Sequence, residues 1–202
     1  AMTEQKERSR ANTKGTRVLW ESQGDLAATD DTAKYNPDSD VSAKVLSILR
    51  GGEFLQSAQR GDEVEVALDK TSFYGTQGGQ VGDAGEILKD GAPIMNVSEA
   101  ARAGNIVIHK GVLTAPIAVG DTVTTKINPT MRAATARAHT ATHLLQAALR
   151  QVLNEDVEQR GSKVGPDSVR FDFSFGRAMT AEEKQAVEDL VNKWISADMP
   201  VL

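Results

Sequence analysis

The feature that most constrains this chain is a change of repeat at Asn128-Pro129. Before it, short apolar clusters alternate with the turn pairs Asn36-Pro37, Gly51-Gly52, Gly61-Asp62, Gly104-Asn105 and Gly120-Asp121. After it, Ala138, Ala141, Leu145, Ala148, Leu149 and Val152 recur at helical steps. A strand repeats every second residue and a helix every third or fourth, so the two segments need different architectures. Residues 18–128 read as a small β-barrel built from closely spaced strands with glycine turns. Its clearest strand is Glu63 to Leu68, with Val64, Val66 and Leu68 on one face, followed by Ile106 to Leu113 and Val119 to Ile127. Residues 129–202 read as the start of an α/β domain: a helix, a polar loop over Glu158 to Lys163, and an alternating strand over Val169 to Phe175. A second helix opens on the capping box Thr180-Ala181-Glu182-Glu183 and closes at Pro200, leaving the β-prone pair Val201-Leu202. Residues 1–17 read as the end of a helical linker after a cloning remnant, Ala1-Met2. The expected class is α+β.

Charge narrows the partners. The chain has 202 residues, 40% of them apolar, and a formal net charge of −5. That is enough apolar material for real cores, but it is not the basic field of a general nucleic-acid binder, so DNA is not an expected partner. Any RNA contact must be local, and Arg132, Arg137, Arg150, Arg160 and Lys163 form the candidate patch for a phosphate backbone. No apolar run reaches the roughly 20 residues that span a bilayer, so no membrane partner is expected. The absence of cysteine excludes a disulfide framework and fits a cytoplasmic location.

Two segments carry the candidate chemistry. His139 and His143 stand four apart on the predicted helix, so their imidazoles project from neighbouring turns of one face and suit a shared metal. That face lies opposite the stripe centred on Leu145, so the pair is not core filler. Thr140 occupies the place where a metalloprotease HExxH has its glutamate, which argues against protease chemistry. Taken alone, the pair also fits two exposed, hydrogen-bonded histidines. A stable zinc site needs three or four protein ligands, and only His109 remains. The second segment is Phe73 to Asp83 (FYGTQGGQVGD), whose glycines permit positive φ and close approach of a backbone or a phosphate, and whose Tyr74 can stack on a base. A tight barrel corner explains the same glycines. A third, polar segment, Glu158 to Lys163, can bring amide, hydroxyl and cationic groups to the histidine face, or can be a solvated loop.

Four segments, TSFYGTQGGQVGDAGEI (Thr71 to Ile87), RAHTATHLLQAALRQVL (Arg137 to Leu153), VEQRGSKVGPDSVRFDFS (Val157 to Ser174) and VEDLVNKWI (Val187 to Ile195), together resemble alanyl-tRNA synthetases in order and spacing. The resemblance covers essentially the whole chain. It implies a translation-factor-like β-barrel followed by the first part of an editing domain that hydrolyses tRNA(Ala) mischarged with serine or glycine. A pocket for alanine rejects a smaller side chain or an added hydroxyl poorly, so a second sieve is needed. In this family the histidine pair binds zinc with a downstream Cys-Gly-Gly-Thr-His segment, and His139 and His143 match that pair. By the same resemblance Thr142, Gln159 and Ser162 line the pocket for the aminoacyl group. The resemblance also implies that Gly78 and Gly79 belong to a glycine motif near the tRNA acceptor end, and Arg137 of the basic patch is the candidate tRNA contact beside them. Phe175 stands where the family usually has histidine after FDFS. The aminoacylation core, with its ATP and magnesium, falls outside these residues, so ligation would belong to the remainder of the synthetase chain. The isolated chain is expected to fail in deacylation, because two histidines do not complete a zinc site. The alternatives are a free-standing trans-editing protein and a non-catalytic module that binds the tRNA acceptor end.

Overall fold

The computed structural model describes residues 18–21, 26–36, 40–154 and 156–198. The linker expected over residues 1–17, the helix stop at Pro200 and the pair Val201-Leu202 lie outside the described residues. The chain divides into two compact units, residues 1–77 with 82–129, and residues 78–81 with 130–202.

The first unit is a β-barrel, and the class is α+β. Its strands are β1 (Val41–Arg50), β2 (Glu53–Leu55), β3 (Ser57–Ala58), β4 (Glu63–Leu68), β5 (Gly85–Lys89), β6 (Ala92–Ala103), β7 (Ile106–Leu113), β8 (Ile117–Ala118) and β9 (Thr122–Ile127). Hydrogen bonding runs β1-β4-β7-β6-β5-β9 and returns from β9 to β1, closing the sheet. Closure requires β1 to serve two partners on one edge. Its first half pairs Val41 to Lys44 with β9, and its last residues, Ile48 to Arg50, pair with β2. The register slips between Val45 and Ser47 against β4, the kind of irregularity that bends a strand and increases its twist.

Alternation decides what fills the barrel. Val64, Val66 and Leu68 of β4 point inward with Val45, Ile48, Phe73, Ile87 and Met95. Ala67, on the other face, joins Leu49, Ile106 and Ile108 beneath Trp20, whose ring meets Phe54 edge-on at 5.2 Å. The sequence reading places β4 and β7 at their observed bounds. It starts β9 too early: Gly120 takes φ +91° in a turn after β8, and the strand begins only at Thr122. Strands β1, β5 and β6 do not stand out in the sequence. Their apolar residues are diluted by polar ones on the outer face, and β5 and β6 are joined by the tight Asp90-Gly91 turn, both residues at positive φ.

The second unit contains α1 (Pro129–Val152), β10 (Gln159–Val164), β11 (Val169–Phe173) and α2 (Ala181–Ser196). Pro129 opens α1 where a missing N–H costs nothing. Thr180 caps α2: its hydroxyl accepts from the Glu183 amide while the Glu183 carboxylate accepts from the Thr180 amide, the reciprocal box read from sequence. Hydrogen bonds from Arg177 and from the Thr180 backbone hold the Glu183 carboxyl down to about 2. Ala148, Leu149, Val157 and Val187 are buried at the centre, with Leu145, Phe171, Phe173, Leu190 and Trp194 half-buried around them.

The segment Glu158 to Lys163 differs from the expected polar loop. It is not a loop: Gln159 to Val164 is strand β10, paired antiparallel with β11 around the turn Gly165 to Ser168. Its polar composition hides this because the strand is specified by its partner, whose alternating Val169, Phe171 and Phe173 supply the apolar contacts.

Candidate functional site

Helix α1 presents its two histidines to solvent. The imidazoles of His139 and His143 stack with centroids 5.1 Å apart and planes 27° from parallel. Both are exposed, as the position of the apolar stripe requires. The hydroxyls between them are turned inward: Thr140 donates to the Ala136 carbonyl at 3.2 Å, and the buried Thr142 donates to the Ala138 carbonyl at 2.8 Å. Back-bonding of this kind is an ordinary alternative to solvent for a hydroxyl within a helix.

The tip of the glycine-rich segment, Gly78 to Val81, belongs to this second unit. Val81 N–H donates to the Val164 carbonyl at 2.9 Å, and Val164 N–H donates to the Gly79 carbonyl at 2.8 Å, so the tip is laced in parallel to β10. Gly78 and Gly79 take φ +59° and +85°. A Cβ on Gly79 would sit 2.6 Å from both the carbonyl and the hydroxyl oxygen of Ser162. Of the two expectations for these glycines, close approach of another backbone is what Gly79 meets. The tip carries Gln80, whose Oε1 lies 2.6 Å from Nδ1 of His139. Gln159 Nε2 donates to Ser162 Oγ at 3.0 Å on β10.

Of the sequence-derived candidates, the structure therefore brings Gly79 against Ser162, Ser162 against Gln159, and His139 against His143. Thr142 is buried with its hydroxyl bonded to the helix backbone. Arg137 is exposed and lines a separate cavity of about 1080 Å³ with Ala141, Leu144, Val169, Trp194 and Ile195. Its lining is mostly apolar and includes neither histidine, so the polar cluster around His139 carries the chemical argument instead. Arg160 of the expected basic patch is paired with Glu158 at 3.0 Å. Tyr74 donates its hydroxyl to the Gln77 carbonyl at 3.3 Å. Phe175 packs in the apolar cluster with the Arg177 guanidinium 4.9 Å above its ring.

His109, the remaining histidine, stands in the barrel core. Its Nε2 lies 2.8 Å from the Thr71 hydroxyl and its Nδ1 3.1 Å from the Val66 carbonyl, and Phe73 meets the ring edge-on. Burial pushes its pKa down to about 4, against the opposing pull of the Val66 bond. With both nitrogens engaged, it is a core histidine. Among the described residues no group of three or more His, Cys, Asp or Glu side chains is placed to hold a metal ion.

The sequence model of tRNA synthetases class II (A) matches residues 1–131. The chain belongs to the class II (A) tRNA synthetases. Among curated relatives, the alanine–tRNA ligase of Thermus thermophilus is 42% identical over 210 residues, covering 100% of this chain and 24% of that enzyme. The ligase of Pelotomaculum thermopropionicum is 44% identical over 163 residues, covering 80% of this chain and 19% of its own length. That of Synechocystis is 40% identical over 200 residues, covering 97% and 23%. The chain thus spans a quarter or less of the class II synthetases it resembles. Among the described residues no helix is long and apolar enough to cross a membrane.

Sequence reasoning missed Gln80 as a site residue. It lies 59 positions before His139. The one available signal was the glycine pair immediately before it, which announced a backbone contact but not its partner.

Proposed function

We propose that this chain is the part of an alanine–tRNA ligase that carries its barrel and the opening half of an editing module, which hydrolyses tRNA(Ala) bearing serine or glycine. The parent enzyme would attach alanine to tRNA(Ala) with ATP and magnesium in a domain outside these residues, in the cytoplasm. The observation that carries the reading is the convergence of the loop tip, β10 and the histidine helix on one polar cluster: Gly79 on Ser162, Gln80 on His139, and Gln159 on Ser162.

The donor set fits half of a zinc site. His139 and His143 offer two imidazole nitrogens on one face, and the remaining ligands would come from other parts of the enzyme. Zinc, when bound, would supply a positive charge to orient or polarise the aminoacyl ester. The chain's own groups supply recognition. Ser162 and Gln159 present a hydroxyl and an amide able to donate to and accept from the amino group or side-chain hydroxyl of a seryl ester. Thr142 has its hydroxyl proton committed to the Ala138 carbonyl and offers no free donor. The backbone of Gly78 and Gly79, bare of side chains, allows the acceptor end to approach.

The test is deacylation of Ser-tRNA(Ala) by the intact synthetase that contains this segment. His143→Ala is expected to lower deacylation at least tenfold and to leave alanylation unchanged. Because the ring is exposed, it should shift stability by no more than about 0.5 kcal/mol. Undiminished deacylation would remove the histidine face from the reaction. Retained tRNA binding without hydrolysis in the unmodified enzyme would favour the non-catalytic module.

A further inference from the structure

We propose that Gln80 is a positioning residue for His139, fixing the imidazole as its Nδ1–H tautomer and leaving the Nε2 lone pair as the free donor beside His143. A neutral imidazole carries one proton, and the hydrogen bond made by one nitrogen decides what the other can do. An amide oxygen can only accept. With Gln80 Oε1 at 2.6 Å from Nδ1, the proton sits on Nδ1. The same bond fixes the ring's rotation about its side-chain axis, which an exposed histidine otherwise samples freely.

The placement of Gln80 does not depend on the bond it makes. Its two neighbours are held by backbone alone, Val81 N–H on the Val164 carbonyl and the Gly79 carbonyl on Val164 N–H. Gly79 meets Ser162 so closely that no side chain fits there. The glycine pair therefore does more than turn the chain: it delivers one amide side chain to one ring nitrogen. Such an outer partner raises the basicity of the far nitrogen and presents it in a fixed direction, whether it meets a metal or a substrate proton. This role in the reaction rests on the editing reading above. The tautomer itself rests only on the geometry.

The experiment uses the 202-residue chain labelled with ¹⁵N-histidine, examined by two-bond proton–nitrogen correlation at a pH where the imidazoles are neutral. His139 is expected in the Nδ1–H pattern. Gln80→Leu should release it to the Nε2–H form that free imidazole prefers, and Gln80→Glu, which keeps an acceptor oxygen at the same reach, should retain Nδ1–H. The amide protection of Val81 and Val164 should be the same in all three, showing that the loop stays docked. An Nε2–H pattern in the unsubstituted chain, or a pattern unmoved by Gln80→Leu, overturns the proposal. In the intact synthetase, Gln80→Leu is expected to lower Ser-tRNA(Ala) deacylation roughly 10- to 100-fold, the usual range for an outer partner of a ligating histidine. A shifted tautomer with undiminished deacylation would overturn the positioning role of Gln80 in the reaction, whereas no Ser-tRNA(Ala) deacylation by the unsubstituted synthetase would sink the editing reading and leave the assignment of the tautomer standing.

Discussion

The barrel and the second unit treat their polar and apolar groups in opposite ways. In the barrel, even the histidine is walled in: His109 bonds through both nitrogens, Ser72 and Thr125 join hydroxyls at 3.0 Å, and all of these are buried. Its apolar residues are just as enclosed, with Ile48, Val66, Leu68 and Phe73 wholly removed from solvent. In the second unit the histidines are exposed, and most of the apolar cluster, including Phe171, Phe173, Leu190 and Trp194, is only half-buried. The difference teaches where to look for chemistry. The barrel's buried His109, Ser72 and Thr125 are engaged with groups of the barrel itself, whereas the second unit keeps its histidines facing outward.

Core truncations should break the comparison most visibly. Leu68→Ala deletes a fully buried side chain from the closed barrel and is expected to cost about 2–5 kcal/mol in denaturant unfolding. Leu190→Ala, half-exposed in the second unit, should cost less than half as much. Equal losses would mean that the two cores are equally closed.

The histidines sharpen the contrast by pH. The unfolded chain protonates His109 near 6.5 and the folded chain only near 4, so the unfolded state binds the extra proton between these values. The associated stability is fully present above pH 6.5 and drains away as the pH falls towards 4, by about 3 kcal/mol in all. An NMR titration of the His109 ring checks this directly. Titration near 6.5 in the folded chain would remove it.

The smallest effect belongs to the loop tip. Gly79→Ala forces a Cβ against Ser162 at positive φ and is expected to cost about 1–3 kcal/mol, confined to the second unit. Hydrogen exchange should show lost protection at Val81 and Val164 while β4 and β7 keep theirs. Loss spread over the barrel strands would mean that the tip is not a local latch.

These contrasts also explain how much could be read in advance. Strands β4 and β7, helix α1 and the Thr180 cap were legible because each carries its own pattern within one segment. The outward face of His139 and His143 followed from the same periodicity. Strand β10 was not legible, since its residues are polar and its conformation is set by β11 and by the loop tip. Gln80 was hidden for the same reason: its meaning is a hydrogen bond to a residue far along the chain, and no local repeat encodes that. Gln159 and Ser162 stood within a polar segment read as able to reach the histidine face, and resemblance singled them out. The structure supplies their mutual bond, which a loop reading had no means to foresee.

The four residues Gly78 to Val81 constrain how the second unit can be inherited. They sit inside the barrel's stretch of sequence yet belong to the second unit. A gene rearrangement that copied the segment from Pro129 onward would look clean at the level of sequence. It would nonetheless leave behind the loop tip that docks on β10 and the amide that meets His139. A transfer that keeps the Gln80–His139 bond must therefore include residues 78–81 along with 130–202.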